Sequence, residues 1–414
     1  MMEVRDPIHG AIVLTNAEVA VADHPFVQRL RYVCQTGFSQ LPFPGATHSR
    51  YSHSLGAMFL AGRAFDRAYR NWEFEHSQAR DRFRQVVRVA ALCHDVGHAP
   101  FSHCTEFAMP HLSSLGFDWA DRRANHEDYT VAILLFSSLA ERIAQWFPFT
   151  ANHVAGLITP QIGVEDGFFL DGGYDHRGLL SQIITSELDV DRLDYLVRDA
   201  YYTGAKYGTV DVPWLISSLD ATVKDSKVWL ALNANAIYAF DDYLISRHHM
   251  FLMVYFHHKS VCYEEILKRF LQESDEWQIP SELDQYLQID DSSFLQVLRQ
   301  SSNEWARRLV EHRIYRRVVE RHGTPEQVDL SAQEGRLVDA GIDVISANST
   351  GTFSRYYEMK SRARTIYVAD RWSGTTRPLT EASKVFERYA EARRIARLYV
   401  APEQVAHAND VLGV

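Results

Sequence analysis

The sequence lacks the features that mark secreted, disulfide-rich and membrane-spanning proteins. Its 414 residues contain four cysteines, and no two of them form a C-x-x-C pair, which is typical of reduced thiols. No uninterrupted apolar run reaches the ~18 residues that a membrane span requires. The first ten residues, MMEVRDPIHG, are too polar for a secretory signal. These absences predict a cytoplasmic protein with no membrane-spanning segment.

Charge and length narrow the class of protein further. The formal net charge of −10 does not favour nucleic-acid binding by the surface as a whole, although it allows one basic pocket for a small phosphate. We find no internal repeat and no low-complexity segment. A chain of 414 residues exceeds the typical single core of ~250–300 residues. We therefore expect one large domain with a smaller one appended.

Helical periodicity dominates most of the sequence. A short strand is expected over 11–14, and residues 36–49, which contain two glycines and two prolines, predict a loop. The predicted helices are one capped by Asn16, one opening at His24-Pro25 and running to Arg31, one beginning near Ser52, one over 83–92, and others over 126–148, 178–199, 212–219 and 238–271.

The pattern changes near residue 328. Residues 344–347, 365–369 and 397–400 predict strands, and residues 379–394 predict a helix. The fold class is therefore predicted as mainly α. A helical domain is expected over 1–327, with its motifs in 48–200, and a smaller α+β lobe over 328–414.

Two histidines and two aspartates on predicted helices form a candidate metal site: His53, His94, Asp95 and Asp191. Adjacent helical residues point about 100° apart, so His94 and Asp95 can reach one ion only at a helix end, which Gly97 supplies. Imidazole suits Zn, Fe and Ni, whereas carboxylate suits harder ions such as Mn and Mg. Such a site can hold water as a nucleophile near neutral pH, which indicates hydrolysis.

Simpler interpretations compete with this one. A single buried histidine is more often a hydrogen-bonded core group, and an aspartate at a helix end is more often a cap. The spacing of His94 and His98 also matches the H-E-x-x-H signature of zinc proteases, but Asp95 replaces the glutamate and Gly97 breaks the helix. The co-occurrence of an apolar helix, the His-Asp pair, the glycine and further histidines favours the metal site.

Seven segments carry a resemblance to a known family: DPIHG, FVQRLRYVCQTG, FPGATHSRYSHSLG, LCHDVGHAPFSH, NHEDYT, DVDRLDYLVRDAYYTG and VYFHHKS. Together they run from Asp6 to Lys259. In their order and number they resemble the HD-domain phosphohydrolase superfamily, and within it the deoxynucleoside triphosphate (dNTP) triphosphohydrolase branch. That branch includes the sterile-alpha-motif HD enzyme of mammals and many bacterial relatives.

The resemblance implies roles for the residues that match its motifs. The four candidate ligands match the family's metal ligands, and the implied ion is one divalent transition metal (Fe, Mn, Zn or Ni), with Mg²⁺ accompanying the nucleotide. The residues that match the family's catalytic group are His98, His103, Glu106 and His126. The residues that match contacts to the phosphates and the sugar are Gln35, Arg50, Tyr195, Asp199, Arg247, Tyr255 and Lys259.

The expected activity is hydrolysis of a dNTP to a deoxynucleoside and inorganic triphosphate, by an enzyme that assembles as a homo-oligomer. One alternative is an HD-type phosphodiesterase or nuclease acting on nucleic acid or a signalling nucleotide, which the acidic net charge disfavours. Another is a nucleotide-sensing scaffold with an inactive site, which the presence of all four ligand positions and three further histidines disfavours.

Overall fold

The structure, a computed structural model, describes residues 1–351, 365–370, 372–383, 385 and 393–413. The helices of this part of the chain are α1 (Asn16–Ala22), α2 (Pro25–Gln28), α3 (Arg50–Ala68), α4 (Ser77–Cys93), α5 (His126–Phe136), α6 (Ser138–Trp146), α7 (Ala151–Ile158), α8 (Arg177–Ile184), α9 (Val190–Thr203), α10 (Val212–Ser217), α11 (Ile237–Met250), α12 (His258–Glu273), α13 (Leu283–Tyr286), α14 (Asp291–Gln300), α15 (Glu304–Val310), α16 (Ser331–Asp339), α17 (Leu379–Ala382) and α18 (Val405–Leu412).

The strands among the same residues are β1 (Met2–Asp6), β2 (Gly10–Leu14), β3 (Leu170–Asp171), β4 (Tyr174–Asp175), β5 (Leu219–Lys224), β6 (Lys227–Asn233), β7 (Arg316–Gly323), β8 (Val344–Gly351), β9 (Tyr367–Asp370), β10 (Thr375–Pro378) and β11 (Arg393–Val400). β1 and β2 form a hairpin, and β7, β11 and β8 form an antiparallel sheet in that order. A mixed sheet has the order β10-β9-β6-β4-β3, with β5 pairing with β6.

The helical body packs around one large apolar core that draws on α3, α4, α5, α7, α8 and α9. The long helices α3 and α4 pack against each other, and α9 packs on the other side of α3. On α4, the completely buried residues are Val86, Val87, Val89, Ala90 and Leu92. They lie on more than one face of the helix, because other elements pack around it. These three helices present the candidate ligands to one another.

The described part of the chain is mainly α, but three sheets make an all-α description inexact. The strands predicted over 11–14, 344–347 and 397–400 lie within β2, β8 and β11, and the strand predicted over 365–369 overlaps β9. The strands that were missed are β1, β3, β4, β5, β6, β7 and β10. In β6, Val228, Leu230 and Leu232 alternate and are fully buried, which is the period of a strand with one face on a core. Asp225 and Ser226, both at positive φ, close the β5–β6 hairpin.

Several predicted helices are shorter than the periodicity suggested. The helix expected over 126–148 divides because the Ser137 side chain accepts the Leu139 N–H and begins a new helix. The helix expected over 178–199 divides at Asp189, which caps α9. The helix expected over 238–271 is interrupted by a π-helical turn at Phe251–Tyr255 before α12 begins. The apolar periodicity of the sequence continues across each break, because the helices on both sides of it bury apolar residues.

Smaller corrections concern helix ends and the expected loop. Thr15, rather than Asn16, caps α1 in a capping box with Glu18. α2 gives way to a 3₁₀ turn at Arg29–Tyr32, and the expected loop over 36–49 contains another at Gly37–Gln40. α3 begins at Arg50. Of the helix expected over 379–394, Leu379–Ala382 is helical, and residues 384 and 386–392 lie outside the described residues.

Both sides of the expected domain division at 327/328 contribute to shared sheets. β7, which precedes it, pairs with β11, and β9, which follows it, pairs in parallel with β6 of the body. Ile366, Val368 and Leu379 belong to the large core. The division at 327/328 stays a prediction. Within the described ranges, no helix is long and apolar enough to cross a membrane.

Candidate metal centre and active site

The four candidate ligands meet where α3, the end of α4 and the first turn of α9 come together. His53 Nε2 lies 3.1 Å from Asp191 Oδ1 and 3.3 Å from His94 Nε2. His94 Nε2 lies 3.3 Å from Asp95 Oδ1 and 3.6 Å from Asp191 Oδ1. Two imidazole nitrogens and two carboxylates thus converge on one point, as a single ion of mixed N/O preference requires. Their role as ligands stays a prediction.

The helix end predicted at Gly97 is what allows His94 and Asp95 to face the same point. α4 ends at Cys93, and His94 is its C-cap. A Cβ at Gly97 would lie 2.2 Å from the carbonyl oxygen of His126 and 2.2 Å from the backbone nitrogen of Thr130. The turn therefore packs directly on the first turns of α5, which only glycine permits. Thr130 Oγ1 secures it by accepting the Gly97 N–H and donating to the His94 carbonyl.

Both histidine ligands have their second ring nitrogen occupied. His53 Nδ1 donates to Asp194 Oδ2 at 2.8 Å, and His94 Nδ1 donates to the Ala91 carbonyl at 2.7 Å. Such outer hydrogen bonds fix the tautomer that leaves Nε2 free to bind a metal. Asp194 was not assigned a role from the sequence, although it lies three residues beyond Asp191 and so one turn along the same helix face.

The N-terminal hairpin completes this support. His9 Nε2 donates to Asp194 Oδ1 at 2.6 Å, and Arg198 donates to both oxygens of the same carboxylate. Arg198 also donates to Asp6, whose Oδ1 accepts the N–H groups of Ile8 and His9. The DPIHG segment thus acts through Asp194 on His53, a relation that spans nearly two hundred residues and that no local pattern could indicate.

The charges around the ligands favour a cation. Burial lowers the pKa of His53, but its hydrogen bonds with Asp191 and Asp194 outweigh that effect and raise the pKa to about 10. Burial raises the pKa of Asp191, but its hydrogen bonds with His53 and His94 hold it well below the usual range. The raised pKa of His53 reflects a negative potential at its imidazole, which a divalent ion would neutralise.

A second group of histidines adjoins the first through Asp95. His98 Nε2 lies 3.4 Å from Asp95 Oδ1, and the His98 ring stacks on His126 with centroids 4.0 Å apart and planes 13° from parallel. Glu106 accepts from His126 Nδ1 at 2.7 Å and from His103 Nδ1 at 2.9 Å. The structure therefore brings together all four residues expected to form the catalytic group.

Three ligand atoms of His98, His103 and His126 lie within 4.8 Å of one another, so this group must also be weighed as a metal site. Its geometry argues against one. Two rings stacked face to face direct their ring nitrogens along parallel lines, whereas ligands of one ion must converge. The stacked pair is better suited to contact the oxygens of a bound substrate.

The protonation of these histidines differs. Burial and the nearby Arg50 charge hold the pKa of His98 well below its usual range, so this ring is neutral. Burial lowers the pKa of His126, but its hydrogen bond with Glu106 and the charge of that carboxylate raise it overall. His126 is therefore the group that can carry a proton near neutral pH.

A cleft of about 530 Å³ opens over both groups. Its lining residues are His94, Asp95, His103, Glu106, Asn125, His126, Glu127, Ile158, Ile184, Thr185, Ser186, Glu187, Asp189, Asp191 and Arg192. Arg192 was assigned no role from the sequence, although it lies in the segment DVDRLDYLVRDAYYTG. It donates to Asp189 and to the Ser186 carbonyl at the cleft wall.

The predicted substrate residue Arg50 lies beside the four candidate ligands. Its Nη1 donates to Asp95 Oδ2 at 2.5 Å, its Nε donates to Ser102 Oγ at 2.7 Å, and its Nη2 donates to the Gln35 carbonyl at 3.3 Å. The guanidinium is buried and links a candidate ligand to the loop of Gln35. The side-chain Oε1 of Gln35 is buried with no hydrogen-bond partner in the described part of the chain.

Three other predicted substrate residues lie together. Tyr255, at the end of the π-helical turn, donates to Asp199 Oδ2 at 2.6 Å, and the other carboxylate oxygen is 2.6 Å from His48 Nε2. The Tyr195 ring lies 6.2 Å from that of Tyr255 and 6.5 Å from that of His53. These residues therefore adjoin the four candidate ligands on the side of His53.

The remaining two predicted substrate residues lie further out. Arg247 is buried and donates to Glu187, a residue of the cleft wall, at 3.3 Å. Lys259 is exposed in the first turn of α12, and its backbone N–H donates to the ring of His257. Their contact with a substrate stays a prediction.

Comparison with known protein families identifies two family regions in the chain. Residues 50–199 match the HD domain, and residues 210–341 match the HD associated region. The first range contains all eight predicted metal-binding and catalytic residues. The chain therefore contains an HD domain followed by the HD associated region.

The relatives of similar sequence include an uncharacterized protein and an enzyme. The chain is 28% identical over 320 residues to the uncharacterized protein MJ1154 of Methanocaldococcus jannaschii, covering 77% of this chain and 60% of that protein. It is 33% identical over 215 residues to the deoxynucleoside triphosphate triphosphohydrolase SAMHD1 of Gallus gallus, covering 49% of this chain and 34% of that enzyme. The chain thus spans less than two thirds of the length of each of these relatives.

A solved structure matches along the whole chain. A hypothetical protein from Aquifex aeolicus superimposes with a TM-score of 0.77 at 26% identity, covering 99% of both chains. The match therefore extends into the C-terminal region as well as the helical body.

Proposed function

We propose that this protein is a metal-dependent phosphohydrolase that converts a dNTP into a deoxynucleoside and inorganic triphosphate. One observation carries the proposal. The ligand cluster and the second histidine group meet at a single carboxylate oxygen under one cleft, because Asp95 Oδ1 lies 3.3 Å from His94 Nε2 and 3.4 Å from His98 Nε2. This arrangement would allow a Lewis-acid site and a proton donor to act on the same reacting phosphorus. The similarity to the SAMHD1 triphosphohydrolase supports the choice of substrate.

Each part of the site has a proposed role. His53, His94, Asp95 and Asp191 would hold a divalent transition metal, which when bound supplies an activated water and stabilises charge on the phosphate. His98 is neutral and contacts the α-phosphate as a hydrogen-bond partner. His126 or His103 gives a proton to the departing 5′-oxygen, with Glu106 orienting both rings.

The phosphate tail needs cations, since a triphosphate carries about four negative charges that pair best through charge-assisted hydrogen bonds. Arg50 lies beside the proposed metal site, since its guanidinium is 2.5 Å from Asp95. Arg247 and Lys259 are assigned to the outer phosphates, and the Mg²⁺ that accompanies a nucleotide would share that charge. Carboxylates of the cleft wall such as Glu127 would disfavour a long polyanion.

The deoxyribose is assigned to the side of His53. Tyr195 and Tyr255 provide flat faces there, and the Asp199 carboxylate and the unpartnered Gln35 Oε1 provide acceptors for a 3′-hydroxyl. A ribose 2′-hydroxyl would have to fit against the tyrosine faces, which is the physical reason to expect a preference for deoxynucleotides.

The test is a hydrolysis screen of the four dNTPs, the four NTPs and a dNTP mixture, with products separated by chromatography. The proposal expects triphosphate and deoxynucleoside in equal amounts, and faster turnover of dNTPs than of NTPs. Activity only on single-stranded DNA or on a cyclic or dinucleotide would replace it by the phosphodiesterase alternative. Metal bound at the site without hydrolysis of any of these compounds would indicate a nucleotide-sensing scaffold.

A further inference from the structure

The segment that carries the catalytic histidines has an uncommon backbone. Phe101 and Ser102, directly before His103, have φ angles of 56° and 59°. Residues with side chains adopt this left-handed region reluctantly, and two in succession persist only where the surroundings hold them there. We refer to residues 97–103 as the histidine segment and ask which groups hold it.

One carboxylate from outside the HD domain range holds the strained turn. Asp291, in the first turn of α14, accepts the Phe101 N–H at 2.7 Å through Oδ1 and the Cys34 N–H at 2.9 Å through Oδ2. Phe294, on the same helix, packs edge-on against the Phe101 ring at 5.8 Å. α14 therefore fixes the histidine segment and the Gln35 loop to each other.

Neighbouring groups secure the start of the same segment. Tyr286 donates its hydroxyl to the Gly97 carbonyl at 2.7 Å. Arg29 donates to the His98 carbonyl at 2.6 Å and to the Ile289 carbonyl at 2.9 Å. The stretch 286–294 thus reaches the histidine segment at both ends, and it lies within the HD associated region.

We propose that Asp291 is a positioning residue that, with Tyr286, holds the histidine segment so that His98 and His103 face the reacting phosphate. The HD associated region is thereby part of the active-site support rather than a separate module. The catalytic part of this inference rests on the proposed function, whereas the structural part does not.

The first test replaces Asp291 by asparagine, which keeps the size but turns one acceptor oxygen into an NH₂ group. Either the Phe101 or the Cys34 N–H then loses its acceptor. The expected result is a fall in kcat on a dNTP of roughly 10- to 100-fold, the scale of small misplacements of reacting groups, with metal content and KM unchanged. The fall should be smaller on a p-nitrophenyl phosphodiester, whose leaving group needs no proton, because the His98 ring of the histidine segment stacks on His126, the proposed acid.

Asp290→Asn is the matched control. The Asp290 carboxylate accepts the Ser293 N–H at 2.8 Å as the N-cap of α14, and asparagine caps equally well. This variant should leave the kcat on both substrates as in the wild-type chain. If Asp291→Asn does not fold, Tyr286→Phe is the second variant, because it removes one donor to the Gly97 carbonyl. It should also lower kcat on a dNTP, and by less on the p-nitrophenyl phosphodiester.

Hydrogen exchange of the intact protein tests the structural part independently of turnover. Asp291→Asn should speed exchange in 97–104 and 33–36 and leave the rest of the chain unchanged, even if no dNTP is hydrolysed and the proposed function is wrong. Exchange unchanged in those two segments would overturn the inference. So would a loss of kcat that is equal on both substrates.

Discussion

Asp194 accepts a hydrogen bond from His53 Nδ1 at 2.8 Å, and this contact orients the imidazole whose other nitrogen faces the remaining ligands. Replacing Asp194 by asparagine allows the His53 tautomer to change and leaves His9 and Arg198 without their full partner. We expect metal affinity to fall roughly 10- to 100-fold, the usual cost of losing such a support. Metal titration followed by elemental analysis measures it.

Asp199→Asn is the control for that experiment, because Asp199 is a buried carboxylate on the same helix that contacts His48 and Tyr255 instead. It should alter KM for the nucleotide and leave metal affinity as it was. Equal metal affinity in the Asp194→Asn and wild-type proteins would contradict the claim that Asp194 supports metal binding by orienting His53.

Gly56 provides the space that Asp194 and Arg198 occupy. A Cβ at this position would lie 1.9 Å from Asp194 Oδ1 and 2.4 Å from Arg198 Nη2. Gly56→Ala should therefore destabilise the protein by about 1–3 kcal/mol, as overpacking of a closed interior does, and should also weaken metal binding. Thermal unfolding with and without added metal separates the two effects.

Gly335→Ala supplies the comparison. Gly335 lies on α16, and a Cβ there would meet no atom of the described chain within 4 Å. Alanine in an open helical position should stabilise by about 0.5–1 kcal/mol. A Gly56→Ala protein as stable as the Gly335→Ala protein would show that α3 and α9 are less closely packed than the structure has them.

His126 should be the general acid, since Glu106 raises its pKa above the ordinary 6.5. A reaction that needs the protonated ring is fastest below that pKa and slows as pH rises through it. His126→Ala should cut kcat by roughly 10²–10⁴ and abolish this alkaline limb, while metal and nucleotide binding are retained. The pH profile of kcat provides the measurement.

His103→Ala is the parallel variant, because His103 contacts the same carboxylate but is more exposed. A p-nitrophenolate leaving group should restore part of the rate only in the variant that lacks the true acid. If it rescues neither variant, the proton is delivered by some other group, and water held by Glu106 would be examined next.

The sequence indicated which candidate residues lie together in the structure better than it indicated how they are held. His94 and Asp95 could be placed at a helix end because Gly97 follows within the same motif. The support of His53 by Asp194, His9 and Asp6 could not be predicted, because these contacts join segments that approach each other only in the folded chain. The same holds for Asp291, whose carboxylate serves backbone groups that have no sequence signature.

The missed strands have a different cause. β6 alternates buried Val228, Leu230 and Leu232, a signal that was present but lay between strongly helical stretches. Its hairpin closes with Asp225 and Ser226 rather than the Asn-Gly or Asp-Gly pair that marks such turns. β7 pairs with β11, which lies far along the chain, so the sequence near β7 gave little indication of a sheet.

The most direct test of the central claim is hydrolysis of a dNTP in H₂¹⁸O, with mass analysis of both products. Attack of water at the α-phosphorus with departure of the 5′-oxygen places one ¹⁸O atom in the triphosphate and none in the deoxynucleoside. The double variant His94→Ala/Asp95→Ala should hold no metal and form neither product. Label in orthophosphate or in a nucleoside monophosphate would place the cleavage at another bond and contradict the account.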